Sequence, residues 1–147
     1  MDPIERFQQY AEAFEEFFER DDASLLEPYF TEDAVYETLA EPPLAGHLQG
    51  REAVLTHLKA SLDNFDRRFE SRELETLEGP EVRDGGVWLR WRIRYRVPGA
   101  PPLEMEGEET ATFEGDRIRR LEDRFAPDAP KSMLAWLSQH GARMKDA

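Results

Sequence analysis

Apolar residues recur at three- and four-residue spacing through the first 20 positions. Ile4, Phe7, Ala11, Phe14 and Phe18 fall on one face, which predicts an amphipathic helix over residues 3–20. Asp2-Pro3 suits its first turn, because proline there gives up an amide that has no helical partner. Asp21-Asp22 ends it, and residues 23–30 read as a second, short helix. Thr31-Glu32-Asp33 is a turn, and residues 34–38 form a short strand. Residues 39–50 hold two prolines and two glycines and are expected to be a loop. Val54, Leu58, Leu62 and Phe65 then mark a third helix over residues 51–65.

Beyond residue 66 the period changes from nearly four to two. Residues 67–77 form a strand with broken alternation, which points to a bulge. Asp84-Gly85-Gly86 is a turn. Residues 87–97 alternate throughout. Val87, Leu89, Trp91, Ile93, Tyr95 and Val97 take one face, and Trp88, Arg90, Arg92, Arg94 and Arg96 the other. Pro98 to Pro102 turns the chain, and residues 103–113 alternate again. A hairpin centred on Ala100 places Arg96, Arg94 and Arg92 opposite Glu104, Glu106 and Glu108. It also pairs Val97 with Leu103, Tyr95 with Met105, Ile93 with Gly107 and Trp91 with Glu109. Such cross-strand charge pairs contribute about 0.2–1 kcal/mol each. The Arg row is then either an anion site or a solvent or subunit-contact face neutralised by the glutamates.

Glu109 interrupts the apolar face, where an unpaired carboxylate is costly to bury. It is either a pocket acid or base, or a hydrated or Arg-paired group near an open end. The last strand, residues 117–125, has two possible phases. One turns Arg119, Leu121, Asp123 and Phe125 inward, with Asp123 near Gly107 and Glu109 on a diagonal. The other turns Ile118, Arg120, Glu122 and Arg124 inward. A bulge would satisfy both. Residues 131–143 close as an amphipathic helix, whose stripe of Met133, Trp136, Leu137 and Met144 must dock on this chain or on a second subunit.

Helices first, an antiparallel meander next and a final helix give an α+β fold, with helices packed on one face of a curved sheet. The 147 residues suit one domain. The 39% apolar and 11% aromatic content argues against disorder despite 35% charged residues. A formal net charge of −13 argues against nucleic acid and anionic membranes as partners. There is no cysteine, so no disulfide framework or thiolate site. No apolar run reaches the ~20 residues of a membrane span, and no signal-peptide core opens the chain, so the expected compartment is cytoplasmic. His47, His57 and His140 have no metal-ligand spacing, and no phosphate loop occurs. No metal and no cofactor are expected.

Three segments carry a family resemblance. Phe30-Thr31-Glu32-Asp33-Ala34-Val35-Tyr36-Glu37 looks like an F-x-x-D-A strand entry. Gly50-Arg51-Glu52-Ala53-Val54 looks like a G-[RK]-E-A-[VI] helix start. Gly115-Asp116-Arg117-Ile118 resembles a G-[KR]-I turn with one residue inserted. In this order and spacing the chain, over about residues 5–126, resembles the nuclear-transport-factor-2-like superfamily and within it SnoaL-like domains. The resemblance implies a cone: a curved mixed or antiparallel sheet wrapped round three N-terminal helices, with a pocket at the wide end. The C-terminal helix, about residues 131–144, is extra to that pattern, and the domain is expected to fill residues 1–147.

The superfamily hosts isomerases, cyclases, hydrolases and binders, so function has to be carried over residue by residue. Steroid-isomerase relatives place an Asp where this chain has Thr38, and a Tyr donor where it has Phe14, with Tyr10 one turn earlier. Arg119, Asp123 and Glu109 offer the residue types of epoxide-hydrolase relatives without their spacing. SnoaL-type cyclases place an acid where Ile118-Arg119-Arg120-Leu121-Glu122-Asp123 puts Asp123, although Arg120 and Leu121 replace the His and Trp of that run. The resemblance therefore implies Asp123 as catalytic acid; the alternative is that Asp123 pairs with Arg119 or Arg124 and only holds the strand. Glu109, from its place on the apolar face, is the second catalytic candidate. Tyr36, His57, Trp91, Tyr95, Phe14 and Phe125 are the candidate substrate wall. The implied activity is that of a cofactor-independent cyclase or isomerase on a small hydrophobic or aromatic ligand, in a homodimer. The alternative is a non-enzymatic ligand-binding or interaction module with the same fold.

Overall fold

Asp2 opens the first helix, α1 (Pro3–Arg20), by accepting a 3.0 Å hydrogen bond from the Ile4 amide, with Pro3 in the first turn. The computed structural model describes residues 2–146; Met1 and Ala147, which the expected domain includes, lie outside them. After α1 a 3₁₀ helix (Ala23–Tyr29) replaces the short second helix. The chain continues through β1 (Phe30–Leu39), β2 (Gly46–Gln49), α2 (Arg51–Asn64), β3 (Ser71–Arg83), β4 (Gly86–Arg96), β5 (Leu103–Glu114), β6 (Arg117–Phe125) and α3 (Ala129–His140). Among the described residues no helix is long and apolar enough to cross a membrane.

The six strands form one sheet in the order β2-β1-β6-β5-β4-β3. β1 runs parallel to β6 and the other pairs are antiparallel, so the sheet is mixed. The expected α+β class and curved sheet around the N-terminal helices are what the structure has. Phe17, Leu26, Phe30, Val54, Ile118 and Leu121 are all but inaccessible in the core between α1, α2 and the sheet. A second cluster at the other end joins Phe69, Ile93, Tyr95, Leu103 and Met105 to Met133, Trp136 and Met144. The C-terminal stripe thus docks on its own chain. The Trp136 indole donates to the Pro101 carbonyl at 2.8 Å, and Lys145 and Arg68 exchange two 2.8 Å bonds.

Five further expectations are corrected. β1 starts at Phe30 and takes in Thr31, Glu32 and Asp33, the residues expected to form a turn. β2 lies inside the segment expected to be a loop: its four residues pair with Val35–Thr38 of β1, too short a run to show a period among prolines and glycines. β3 begins later and runs through Gly79-Pro80, where a bulge on this edge strand tolerates proline and Gly79 sits at φ 81°. α3 begins at Ala129, two residues before its expected start.

The β4–β5 register is shifted by two residues. Arg94, Arg92 and Arg90 face Glu104, Glu106 and Glu108, while Tyr95, Ile93, Trp91 and Leu89 face Leu103, Met105, Gly107 and Glu109. The shift is even, so every side chain keeps its expected face. Steric fit selects this register. A Cβ on Gly107 would lie 2.6 Å from Trp91 Cζ2 and 2.6 Å from the Arg124 carbonyl oxygen, so the indole needs a glycine opposite it. On the outer face the Arg row lies between two rows of glutamate. Arg90 pairs with Glu78 and Glu106, Arg92 with Glu75, Arg94 with Glu104 and Arg96 with Glu73, at 2.6–3.2 Å. With its arginines paired in this way, the row has the character of a neutralised face.

Replacing Gly107 with Ala is expected to destabilise the fold by about 1–3 kcal/mol, the usual cost of overpacking. Urea denaturation reads this, and an unchanged midpoint would contradict the steric account of the register.

Candidate functional site

Three neighbouring strands bring two acids and a phenol together. In the β5–β6 ladder Glu109 is directly opposite Asp123, which corrects the expected diagonal; Gly107 faces Phe125 instead. On the other side of β6, Thr38 of β1 is level with Asp123, and Tyr36 is two residues back. The Tyr36 hydroxyl donates to Asp123 Oδ2 at 2.5 Å. The phase of β6 resolves through a bulge. The β5–β6 register shifts between Thr112 and Phe113, so Ile118 and Leu121 are both buried and Asp123 and Phe125 follow Leu121 inward, while Arg119 points out.

The acids sit against apolar walls. Burial pushes Glu109 well above the usual carboxylate range, and the neighbouring Asp123 charge adds to it. Burial also raises Asp123, against the pull of hydrogen bonds from Glu109 and Tyr36. Two carboxyls this close disfavour each other's ionisation, so a proton on one member is favoured. The Tyr36 donor favours the charge on Asp123, which leaves Glu109 the more readily protonated. Tyr36 and Tyr10 are raised too, first by burial and then by the acids, so both phenols stay protonated.

These groups line a cavity of about 1080 Å³. All eight candidate site residues lie on its wall: Asp123, Glu109, Tyr36 and His57 toward one region, and Phe14, Trp91, Tyr95 and Phe125 among the aromatic surfaces. The Trp91 and Phe125 rings meet edge to face at 5.2 Å. The His57 ring is 5.6 Å from that of Tyr36, its Nε2 is 3.3 Å from Ser61 Oγ, and burial lowers its pKa, so it is a neutral group at pH 7. Among the described residues no cluster of three or more His, Asp or Glu is arranged to hold a metal ion.

Other polar groups on the same wall lie outside the candidate set read from sequence, which noted Tyr10 only as the tyrosine one turn before Phe14. Tyr10 is 4% exposed, and its hydroxyl makes no hydrogen bond with the described residues. Only its place on the inner face of α1, one turn before Phe14, signals it. Asp66 and Arg72 also line the cavity, bonded to each other at 2.9 Å and to Tyr95 through Asp66 at 3.0 Å. Nothing in their spacing reveals this, because it depends on the β3–β4 register that sets Arg72 opposite Tyr95.

The family described as SnoaL-like domain matches residues 9–121. No curated protein matches the chain. Solved structures are similar in fold. An NTF2-like protein from Anabaena variabilis is 15% identical with a TM-score of 0.68, covering 86% of this chain and 91% of that one. A protein of Bacillus subtilis named as a candidate isomerase is 16% identical with a TM-score of 0.62, covering 88% and 95%. A protein of Sinorhizobium meliloti named as a candidate polyketide cyclase is 24% identical with a TM-score of 0.55, covering 78% and 93%.

The raised carboxyl has a signature in stability. Folded Glu109 keeps its proton at pH values where the unfolded chain, near the ordinary 4.5, has lost it. Its contribution is therefore complete below that ordinary value and is lost as pH rises toward the folded pKa. Glu109→Gln is neutral at every pH and lacks this loss. Urea titrations of both proteins from about pH 4 to 8 should show the variant gaining stability relative to the parent as pH rises; a flat difference would mean that Glu109 titrates normally.

Proposed function

The chain belongs to the SnoaL-like domain family, and from that premise we propose that its cavity carries out cofactor-independent acid–base chemistry, a ring closure or an isomerisation, on a hydrophobic carbonyl compound. The observation that carries this reading is the direct pairing of Glu109 with Asp123 on the cavity wall. With the proton favoured on Glu109 and the charge on Asp123, an acid and a base stand side by side.

The chemistry balances without a co-reactant. Asp123 acts here as the base rather than as the acid that the resemblance implied: its carboxylate takes a proton from a carbon made acidic by adjacent carbonyls. In a ring closure, the resulting enolate carbon attacks a second carbonyl of the same molecule. The oxygen of that carbonyl takes the Glu109 proton. Asp123 then passes its newly acquired proton to Glu109 along their hydrogen bond, and the pair is reset with no net gain or loss. In an isomerisation the Glu109 proton goes to a different atom of the same enolate. Tyr36 holds Asp123 in place, since its hydrogen is already committed to Oδ2. Tyr10 is the free phenol donor, suited to a substrate oxygen as negative charge develops there. Trp91, Phe125 and Phe14 offer the flat apolar surfaces that orient rings, and His57 adds a neutral polar wall.

The same aromatic wall would serve a carrier with no chemistry, and the carboxyl pair separates the two readings. The purified protein is to be assayed with polycyclic ketones and linear polyketone esters, following absorbance and checking that product mass equals substrate mass. Asp123→Asn and Glu109→Gln are each expected to lower kcat about 10²–10⁴-fold with a small change in KM. Turnover that survives both substitutions, or binding without turnover across the panel, would favour the carrier.

A further inference from the structure

The cavity has a second polar end. Asp66 opens a 3₁₀ turn after α2, Arg72 is the second residue of β3, and Tyr95 faces Arg72 across the β3–β4 ladder. Arg72 Nε and the Tyr95 hydroxyl both donate to Asp66 Oδ2, at 2.9 and 3.0 Å. The Arg72 side chain is 8% exposed and that of Asp66 12%, and Arg72 Nη1 reaches Glu15 at 3.2 Å. Arg72 also lies over the rings of Phe14 and Phe18 at 5.8 and 5.0 Å. A buried ion pair is weak support for stability, since well-packed apolar residues of the same volume do as well or better.

The cluster has capacity to spare toward the cavity. Both side-chain bonds of Asp66 fall on Oδ2, so Oδ1 has no side-chain partner among the described residues. Arg72 Nη2 makes no hydrogen bond with the described residues. Both residues line the cavity, so an acceptor and a donor stand on one wall. Glu15, on the same wall, shares Arg72 with Asp66, so the cluster carries one net negative charge. A carboxylate ligand would be repelled by Asp66 and Glu15, and an ammonium would compete with Arg72 for them. A neutral hydroxyl, which donates once and accepts once, uses both groups.

We propose that Asp66, Arg72 and Tyr95 form a distal recognition site that binds a neutral hydroxyl at the end of the substrate remote from its reacting carbonyl. This rests on the reading of Glu109 and Asp123 as the reacting end. β4 measures the interval: Leu89 is opposite Glu109, and Tyr95 bonds to Asp66. Residues 89 to 95 span about 20 Å of strand at ~3.3 Å per residue. Trp91 and Ile93 fill the interval as apolar wall. The ligand class is then an elongated, ring-containing ketone with a hydroxyl at its far end. The cavity of about 1080 Å³ is large enough for one.

Calorimetry with cholest-4-en-3-one and 26-hydroxycholest-4-en-3-one tests this, the two differing only in a hydroxyl at the far end of the molecule from the ketone. The parent protein is expected to bind the hydroxylated compound about tenfold more tightly. Tyr95→Phe removes one oxygen and keeps the ring that stacks on Phe69 at 4.5 Å, so it should fold normally and reduce the preference to near unity. Asp66→Asn should do the same, while Glu109→Gln, at the other end, should leave the preference intact. Equal affinities, a preference that survives Tyr95→Phe, or no binding of 26-hydroxycholest-4-en-3-one would overturn the distal site. A preference that behaves as expected in a protein whose turnover ignores Glu109→Gln would retire the catalytic reading and leave the distal site standing.

Discussion

The parallel pairing of β1 with β6 is the contact on which the site depends. It joins the helical half of the chain to the far end of the meander, and it sets Tyr36 within hydrogen-bond reach of Asp123, 87 residues later. Each of these strands has another neighbour: β2 extends the sheet beyond β1, and β5 presents Glu109 to β6. Without the parallel contact the meander would be an open sheet, with α1 and α2 unable to enclose anything against it. Two irregularities make it fit. The β1–β6 register shifts between Phe30 and Val35, and the β5–β6 register between Thr112 and Phe113. The second lets β6 bury Ile118 at one end and present Asp123 at the other.

Folding two carboxyls into a mostly apolar cone is unfavourable, and the structure limits the cost. Burial favours a proton on Glu109, and Tyr36 supplies a donor to Asp123. The same rule recurs at Asp66, where burial raises the carboxyl while Arg72 and Tyr95 hold it down. The outer face of the sheet handles charge in the opposite way. Its Arg and Glu side chains are half exposed and paired in the open, where such pairs contribute about 1 kcal/mol at most. Charge on one face is cheap and exchangeable; charge on the other is scarce and held by specific partners.

Period and punctuation made most elements legible. The stripe from Ile4 to Phe18 gave α1 its bounds, and the eleven-residue alternation around Trp91 and Ile93 gave β4 and its two faces. The β4–β5 register was misjudged by two because alternation specifies only odd or even, and the choice among even registers depended on the fit of Trp91 over Gly107. β2 escaped notice because four residues between turn formers show no period. Glu109 and Asp123 stood out as charges on apolar faces. Asp66 and Arg72 did not, because each sits in a stretch where a charge is ordinary.

What the sequence determined by itself is which residues face inward, since side-chain direction follows from local period and needs no partner. That was enough for the α+β class, the apolar lining and the two acids as candidates, and three short motifs were enough for the family. Tertiary structure decided which inward residues meet. Glu109 opposite Asp123, Tyr36 on Asp123, and Arg72 with Tyr95 on Asp66 are contacts between strands or turns distant in the chain. Their geometry is set by registers, and registers are chosen by packing across the whole sheet, so the chemistry of the cavity becomes visible only when the sheet is assembled.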